Sequence, residues 1–273
     1  MNNAFLRLPI VISNAKYKVD VNRIVDISDA FKPVDSEYYF DFSAGERFTR
    51  SGKELKPTNN NLPMTFRNGG LVMASGPAKG YSFTDVPETM FPNGYVLCSS
   101  AKIPKGTPAL TGVNIFLNFF NQGLNLLNNE SNYCWHFSGG TAMLLGQSKD
   151  SSGVQTSRTI MAKGFKASAD EVRLFTEDVK VTTILCIDPA NKRVEGVLFS
   201  NQSDSVQVGT YNTDASNTMR SLNLNIGSCY FPNGANTDGA ADYIMKESFL
   251  IPNPLPSSDL VKLVKERYVR NFG

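Results

Sequence analysis

Thr182-Thr183-Ile184-Leu185-Cys186-Ile187-Asp188-Pro189-Ala190-Asn191-Lys192-Arg193-Val194-Glu195-Gly196-Val197-Leu198-Phe199 is the stretch that decides the fold class. Two runs rich in β-branched and aliphatic residues flank a short polar break, which is the pattern of two strands joined by a hairpin. Pro189 stands where a type I turn uses a fixed φ, and Asn191 where the chain leaves the turn.

Outward from this hairpin the same two-residue period recurs. It appears at Ala15 to Asn22, where Ala15, Tyr17, Val19 and Val21 alternate with Lys16, Lys18, Asp20 and Asn22. It returns at Tyr38, Phe40 and Phe42; at Tyr95 to Ile103; at Val113, Ile115, Leu117 and Phe119; and at Tyr133, Trp135 and Phe137. Beyond the hairpin, Val206 to Tyr211, Leu222 to Ile226 and Tyr243 to Ile251 are bounded by Gly, Pro, Asn or Asp. About a dozen strands follow, enough for two packed sheets. One segment reads as helix: after Pro256-Ser257-Ser258-Asp259, Leu260, Leu263, Val264 and Tyr268 share a face, with Ser258 as expected cap and Asp259 at the positive end of the dipole.

With 41% apolar residues, 18 Phe and 10 Tyr, the 273-residue chain has material for one large core. We therefore expect an arm over residues 1–35, with its boundary near Phe31 to Asp35, and one sandwich domain over 36–273. The arm's single strand cannot bury its apolar face alone, so it must pair with the sandwich or with another subunit. The 27 basic and 25 acidic residues leave a formal charge of +2, too small a field to gather nucleic acid or an anionic membrane. Arg7 and Pro9 interrupt the apolar stretch Phe5 to Ile12 and no cleavage pattern follows, so no secretion signal is expected; no run is long enough to span a membrane.

Cys98, Cys134, Cys186 and Cys229 are widely spaced, and His136 is the one histidine of the chain, which argues against structural zinc and for reduced, buried thiols.

From Tyr38 onward the order of features resembles the laminin-G-like or concanavalin A-like jelly-roll family. Tyr39-Phe40-Asp41-Phe42-Ser43 is similar to its opening strand, and 182–188 with 194–199 to its central hairpin. Leu222 to Ser228 is similar to the strand ending in Ile-Gly. Tyr243 to Ile251, the Pro254 to Leu260 link and the final helix resemble its close. The resemblance implies an all-β, two-sheet jelly-roll sandwich with an N-terminal arm and a short C-terminal helix.

A weaker resemblance is to virion or tail components of bacteriophages, in the many Asn residues, the arm and the absent leader. It implies a non-catalytic structural or decoration protein on a capsid or tail, assembled in the host cytoplasm. That protein would be a homo-oligomer contacting other virion subunits through residues 1–30, with a jelly roll that touches host surface glycans. The alternative is a stand-alone carbohydrate-binding adhesion module; a glycoside hydrolase is the third reading.

The residues argue against hydrolysis. Family glycosidases place Glu-x-Asp-x-x-Glu on one strand, holding two carboxylates about 5 Å apart. Here Glu171, Glu177 and Asp178, and Asp238 with Asp242, lack that spacing and read as solvated loop charges. Cys134 and His136 share a strand face, but residues two apart stand roughly 7 Å from each other, beyond hydrogen-bond reach. Trp135, facing oppositely with Tyr133 and Phe137, reads as a core anchor, with a sugar platform as the other reading. No catalytic residue is assigned, and no cofactor.

Two loops join aromatics to amides as glycan contacts do: Tyr230, Phe231, Asn233 and Asn236 in one, Phe91 and Asn93 in the other. Ordinary turns flanked by core aromatics account for the same composition. Some laminin-G-like domains hold calcium on a rim, and Asp85, Asp214 and Asp238, with Asn233 and Asn236, are loop candidates for it; turn-forming Asp and Asn explain them as well.

Overall fold

The computed structural model describes residues 36–57, 64–73, 80–86, 93–109, 115–116, 130–138, 140–212, 222–227 and 243–273. The expected arm, including the Ala15 to Asn22 strand, lies outside the described residues. Fourteen strands and one helix occur among those described: β1 (Tyr38–Asp41), β2 (Lys56–Pro57), β3 (Leu71–Met73), β4 (Gly80–Val86), β5 (Tyr95–Ile103), β6 (Ile115–Phe116), β7 (Glu130–Ser138), β8 (Thr141–Lys149), β9 (Gln155–Gly164), β10 (Val179–Asp188), β11 (Arg193–Ser200), β12 (Gln207–Asn212), β13 (Leu222–Gly227), β14 (Tyr243–Pro252) and α1 (Ser257–Phe272).

The main sheet is antiparallel in the order β1-β14-β5-β10-β11-β12, with β3 following β1 along the same edge of β14. The second layer comprises β6-β7-β8-β9 and β13-β4-β2. Helix α1 lies on the outer face of the main sheet, so the middle strands are covered on both sides. That is why β10 and β11 read as nearly continuous apolar runs. Leu97, Leu185, Val194 and Leu198 point inward to Trp135, Phe137 and Leu144, while Val96, Cys98, Ile184, Cys186, Val197 and Phe249 point outward to Leu260 and Val264 of the helix. Burying Leu260 and Val264 stabilises the docked helix by roughly 1.5–3 kcal/mol each.

Trp135 is fully buried and donates its indole N–H to the carbonyl of Ile184 at 2.8 Å, so the core-anchor reading stands. Gly196 makes the fit possible: a Cβ there would lie 2.4 Å from Leu144 and 3.0 Å from Trp135. Here glycine is required for close approach between layers, not for a special φ.

A β-bulge between Met245 and Glu247 resets the facing of β14. Before it, Met245 enters the core; after it, Glu247 turns outward beneath the helix, where Arg267 and Arg270 both donate to its Oε1 and Asn271 donates to its Oε2 at 2.8 Å. Arg270 also reaches Tyr39 and Asp41, joining the end of the helix to β1.

Two local expectations are corrected. Helix α1 begins at Ser257 after Pro256, and Ser258 makes no capping hydrogen bond; instead the Ser257 hydroxyl donates to Glu195 Oε2 at 2.6 Å. In the hairpin, the Lys192 N–H donates to the Pro189 carbonyl at 3.1 Å, so Pro189 opens the turn and Lys192, at φ 51°, leaves it. The Asp188 carboxylate accepts the Asn191 N–H at 3.2 Å and takes over the role expected of the main chain one residue earlier.

Candidate functional site

Cross-strand register places Tyr95, Ile187, Val194 and Tyr211 in one row across β5, β10, β11 and β12, all facing the core side. This row lies at the end of the sandwich where the 188–192 turn closes and where α1 begins. At strand spacing it is about 14 Å from Tyr95 to Tyr211, the reach of a small oligosaccharide.

Tyr211 is half-buried, and the guanidinium of Arg158 lies 4.4 Å from its ring centroid. Arg158 comes from β9, on the opposite layer, where it stands across from Gly146 on the inward face. The two layers converge here: a Cβ on Gly209 would meet Met161 at 2.6 Å. Two residues along the same face, the Ser148 and Thr156 hydroxyls bond each other at 2.9 Å. The end therefore carries an aromatic face, a cation held against it, and hydroxyls beside them. Sequence reading missed Arg158 and Tyr211 as partners.

Asn93 stands at the same end, exposed, and donates to Asn253 Oδ1 at 3.4 Å. The adjoining Gly94, at φ 98°, leaves no room for a side chain, because a Cβ would lie 2.1 Å from the Ile187 carbonyl. The Asn253 N–H donates to the Gly94 carbonyl at 3.1 Å. Phe91 lies outside the described residues, as do Tyr230, Phe231, Asn233, Asn236, Asp214 and Asp238. The chain enters β14 at Tyr243 beside Met73, next to the Ile103 end of β5, and so at the opposite end of the sheet from Asn93. Asp85 is corrected from a loop to a strand residue, since β4 contains it. Among the described residues no group of three or more His, Cys, Asp or Glu is placed to hold a metal.

Of the acidic residues weighed for hydrolysis, Asp238 and Asp242 lie outside the described residues, while Asp178 and Glu177 are engaged with basic groups. Asp178 pairs with Lys102 at 2.7 Å and accepts the Lys105 N–H at 2.9 Å, and Glu177 stands 3.8 Å from Lys166. The hydrogen bond from Lys102 leads the causes that hold the Asp178 carboxyl below its ordinary range. Burial pushes the Cys134 thiol up to about 12, which keeps it protonated at neutral pH and removes its nucleophilic form. Cys98, Cys134 and Cys186 are free thiols; Cys98 and Cys186 are buried, Cys134 is partly exposed rather than fully buried, and Cys229 lies outside the described residues. No helix among the described residues is long and apolar enough to cross a membrane.

No protein-family model and no curated protein sequence matches the chain. Solved structures do. The binding domain of Paraclostridial Mosquitocidal Protein 1 is 10% identical, with a TM-score of 0.52 over 84% of this chain and 51% of that one. The binding domain of botulinum neurotoxin serotype D/C is 11% identical, at 0.51 over 88% and 53%. Botulinum neurotoxin type C, whose cell entry depends on interaction with two ganglioside molecules, is 8% identical, at 0.50 over 89% and 53%. This chain spans about half the length of these structures. At such identities the likeness is one of fold, and the fold is an all-β sandwich of antiparallel sheets with a short C-terminal helix, of the kind found in binding domains.

Proposed function

We propose that this chain is a non-catalytic carbohydrate-binding module that takes a glycan at the sandwich end formed by Asn93, Arg158 and Tyr211. The observation that carries the reading is the Arg158–Tyr211 pair. The guanidinium lies over the ring, and no described group accepts a hydrogen bond from its N–H groups, which leaves them for a ligand. Sugars offer the acceptors such a fork takes and the C–H faces an aromatic packs against. Likeness of fold to toxin structures, among them a toxin whose cell entry depends on two ganglioside molecules, supports the same class. A glycan array tests it: the chain binds a defined set of oligosaccharides, and Tyr211→Ala loses them while keeping its fold by circular dichroism. A silent array overturns the proposal. The same array with Tyr230→Ala tests Tyr230, Phe231, Asn233 and Asn236 as a separate contact, and chelation tests calcium at Asp85, Asp214 or Asp238.

A second reading rests on the alternation at Ala15 to Asn22. As part of a bacteriophage particle, on capsid or tail, the chain would be a homo-oligomer whose residues 1–30 pair with a neighbouring virion subunit while the sandwich faces host glycans. Light-scattering mass of the chain with and without residues 1–30 tests this; a monomer in both cases contradicts it.

A further inference from the structure

Two arginines stand at the Asn93 end of the sandwich, and their surroundings are opposite. Arg193, on the helix side, is engaged at both terminal nitrogens: it donates to Glu195 Oε2 at 2.7 Å, Ser257 Oγ at 2.8 Å, the Leu255 carbonyl at 2.7 Å and Asp188 Oδ2 at 3.2 Å. It consumes the two buried carboxylates of that end and fastens the start of α1 to the hairpin. Arg158 is exposed, lies on the face of Tyr211, and has no ion pair or hydrogen-bond acceptor among the described residues. Its cross-strand neighbour is Gly146, which brings no charge, and its same-face neighbours Ser148 and Thr156 are uncharged hydroxyls that bond each other.

An arginine that is only solvated samples many rotamers, whereas this one is oriented by a ring, so its fork is presented to a ligand at reduced entropic cost. A neutral hydroxyl satisfies one N–H of such a fork; a carboxylate satisfies two in parallel and neutralises the charge. From this contrast we infer that the ligand is a carboxylated glycan, a sialic or uronic acid sugar, whose carboxylate is received by Arg158 while the ring of Tyr211 and the Ser148 and Thr156 hydroxyls meet the rest of the sugar. The inference rests on the reading of this end as a glycan site.

Calorimetric titration at low ionic strength tests it with two matched pairs, 3′-sialyllactose against lactose and cellobiouronic acid against cellobiose. In at least one pair the acidic member binds tighter by about tenfold or more. Arg158→Gln brings that member down to the level of its neutral counterpart, and Arg158→Lys keeps part of the preference. Raising salt from ~20 to ~300 mM weakens the acidic member selectively. Equal binding of acidic and neutral members, or a preference that survives Arg158→Gln, overturns the inference. If neutral sugars bind without acid preference and Tyr211→Ala abolishes that binding, the inference falls while the glycan-site reading stands. If none of the four sugars binds, the inference is overturned, and a silent array overturns the site reading with it.

Discussion

The indole N–H of Trp135 meets the main-chain carbonyl of Ile184 at 2.8 Å, joining the second layer to the middle of the main sheet, and Gly196 beside it has no side chain so that this contact can form. Gly196→Ala is therefore expected to cost about 1–3 kcal/mol through overpacking. Trp135→Ala is expected to cost about 3–5 kcal/mol through the cavity it leaves. Combined, the two changes cost less than their sum, because the added methyl fills part of the vacated space. Urea denaturation of the three variants measures this; additive costs would contradict the packing described.

Glu247 and Arg267 are both buried, at 1% and 3% exposure, and bonded to each other beneath α1. Removing Arg267 leaves the buried Glu247 carboxylate to Arg270 and Asn271 alone, so Arg267→Ala is expected to lose up to about 3–5 kcal/mol, whereas Arg267→Met combined with Glu247→Gln loses less than the sum of the two single changes. Burial shields the pair from ions, so these losses change little with salt. The readout is a double-mutant cycle by chemical denaturation at two salt concentrations.

The start of the helix separates two serines. Ser257→Ala removes the hydroxyl donated to Glu195 and is expected to cost about 0.5–1.5 kcal/mol. Ser258→Ala is expected to stay within about 0.5 kcal/mol of the parent, because Ser258 caps nothing. Equal losses in thermal unfolding would restore Ser258 as the cap.

Thiol burial gives a pH dependence. In the folded chain the Cys186 thiol is pushed up to about 11 and the Cys134 thiol to about 12, chiefly by burial, against an ordinary 9.0. The unfolded thiols ionise first, so this contribution to stability is fully present below pH 9.0 and is lost as pH rises through the two folded values. The unfolding free energy should fall steadily on the alkaline side of pH 9.0, and Cys134→Ser with Cys186→Ser should flatten that slope. At pH 8 a thiol reagent should label the buried Cys98 and Cys186 only after denaturant is added.

The parts of the fold that were legible depended on local chemistry. The β10–β11 hairpin is written in its turn residues, and β1, β5, β7 and β14 in aromatic or aliphatic runs that any sheet must bury. β8 and β9 were not foreseen. The first half of β9 is exposed, so Gln155 to Thr159 shows no contrast between faces, and in β8 the partly covered Met143 and Leu145 on the other face blur the alternation. Arg267 falls on the same helical face as Leu260 and Val264, yet nothing near it in sequence tells that a bulge at Lys246 turns Glu247 outward to meet it. Of the expected glycan contacts, Asn93 alone lies among the described residues, at the candidate site. Arg158 and Tyr211 became partners only through the closing of two layers, an information that resides in sheet order rather than in either segment.

The most direct measurement is the location of a bound glycan, by chemical-shift mapping of the isotopically labelled chain titrated with an array-selected oligosaccharide. The account predicts that the saturating shifts gather on Asn93, Gly146, Arg158 and Tyr211, and that Tyr211→Ala removes them. Shifts gathered instead at the far end, around Met73, Ile103 and Tyr243, would contradict it.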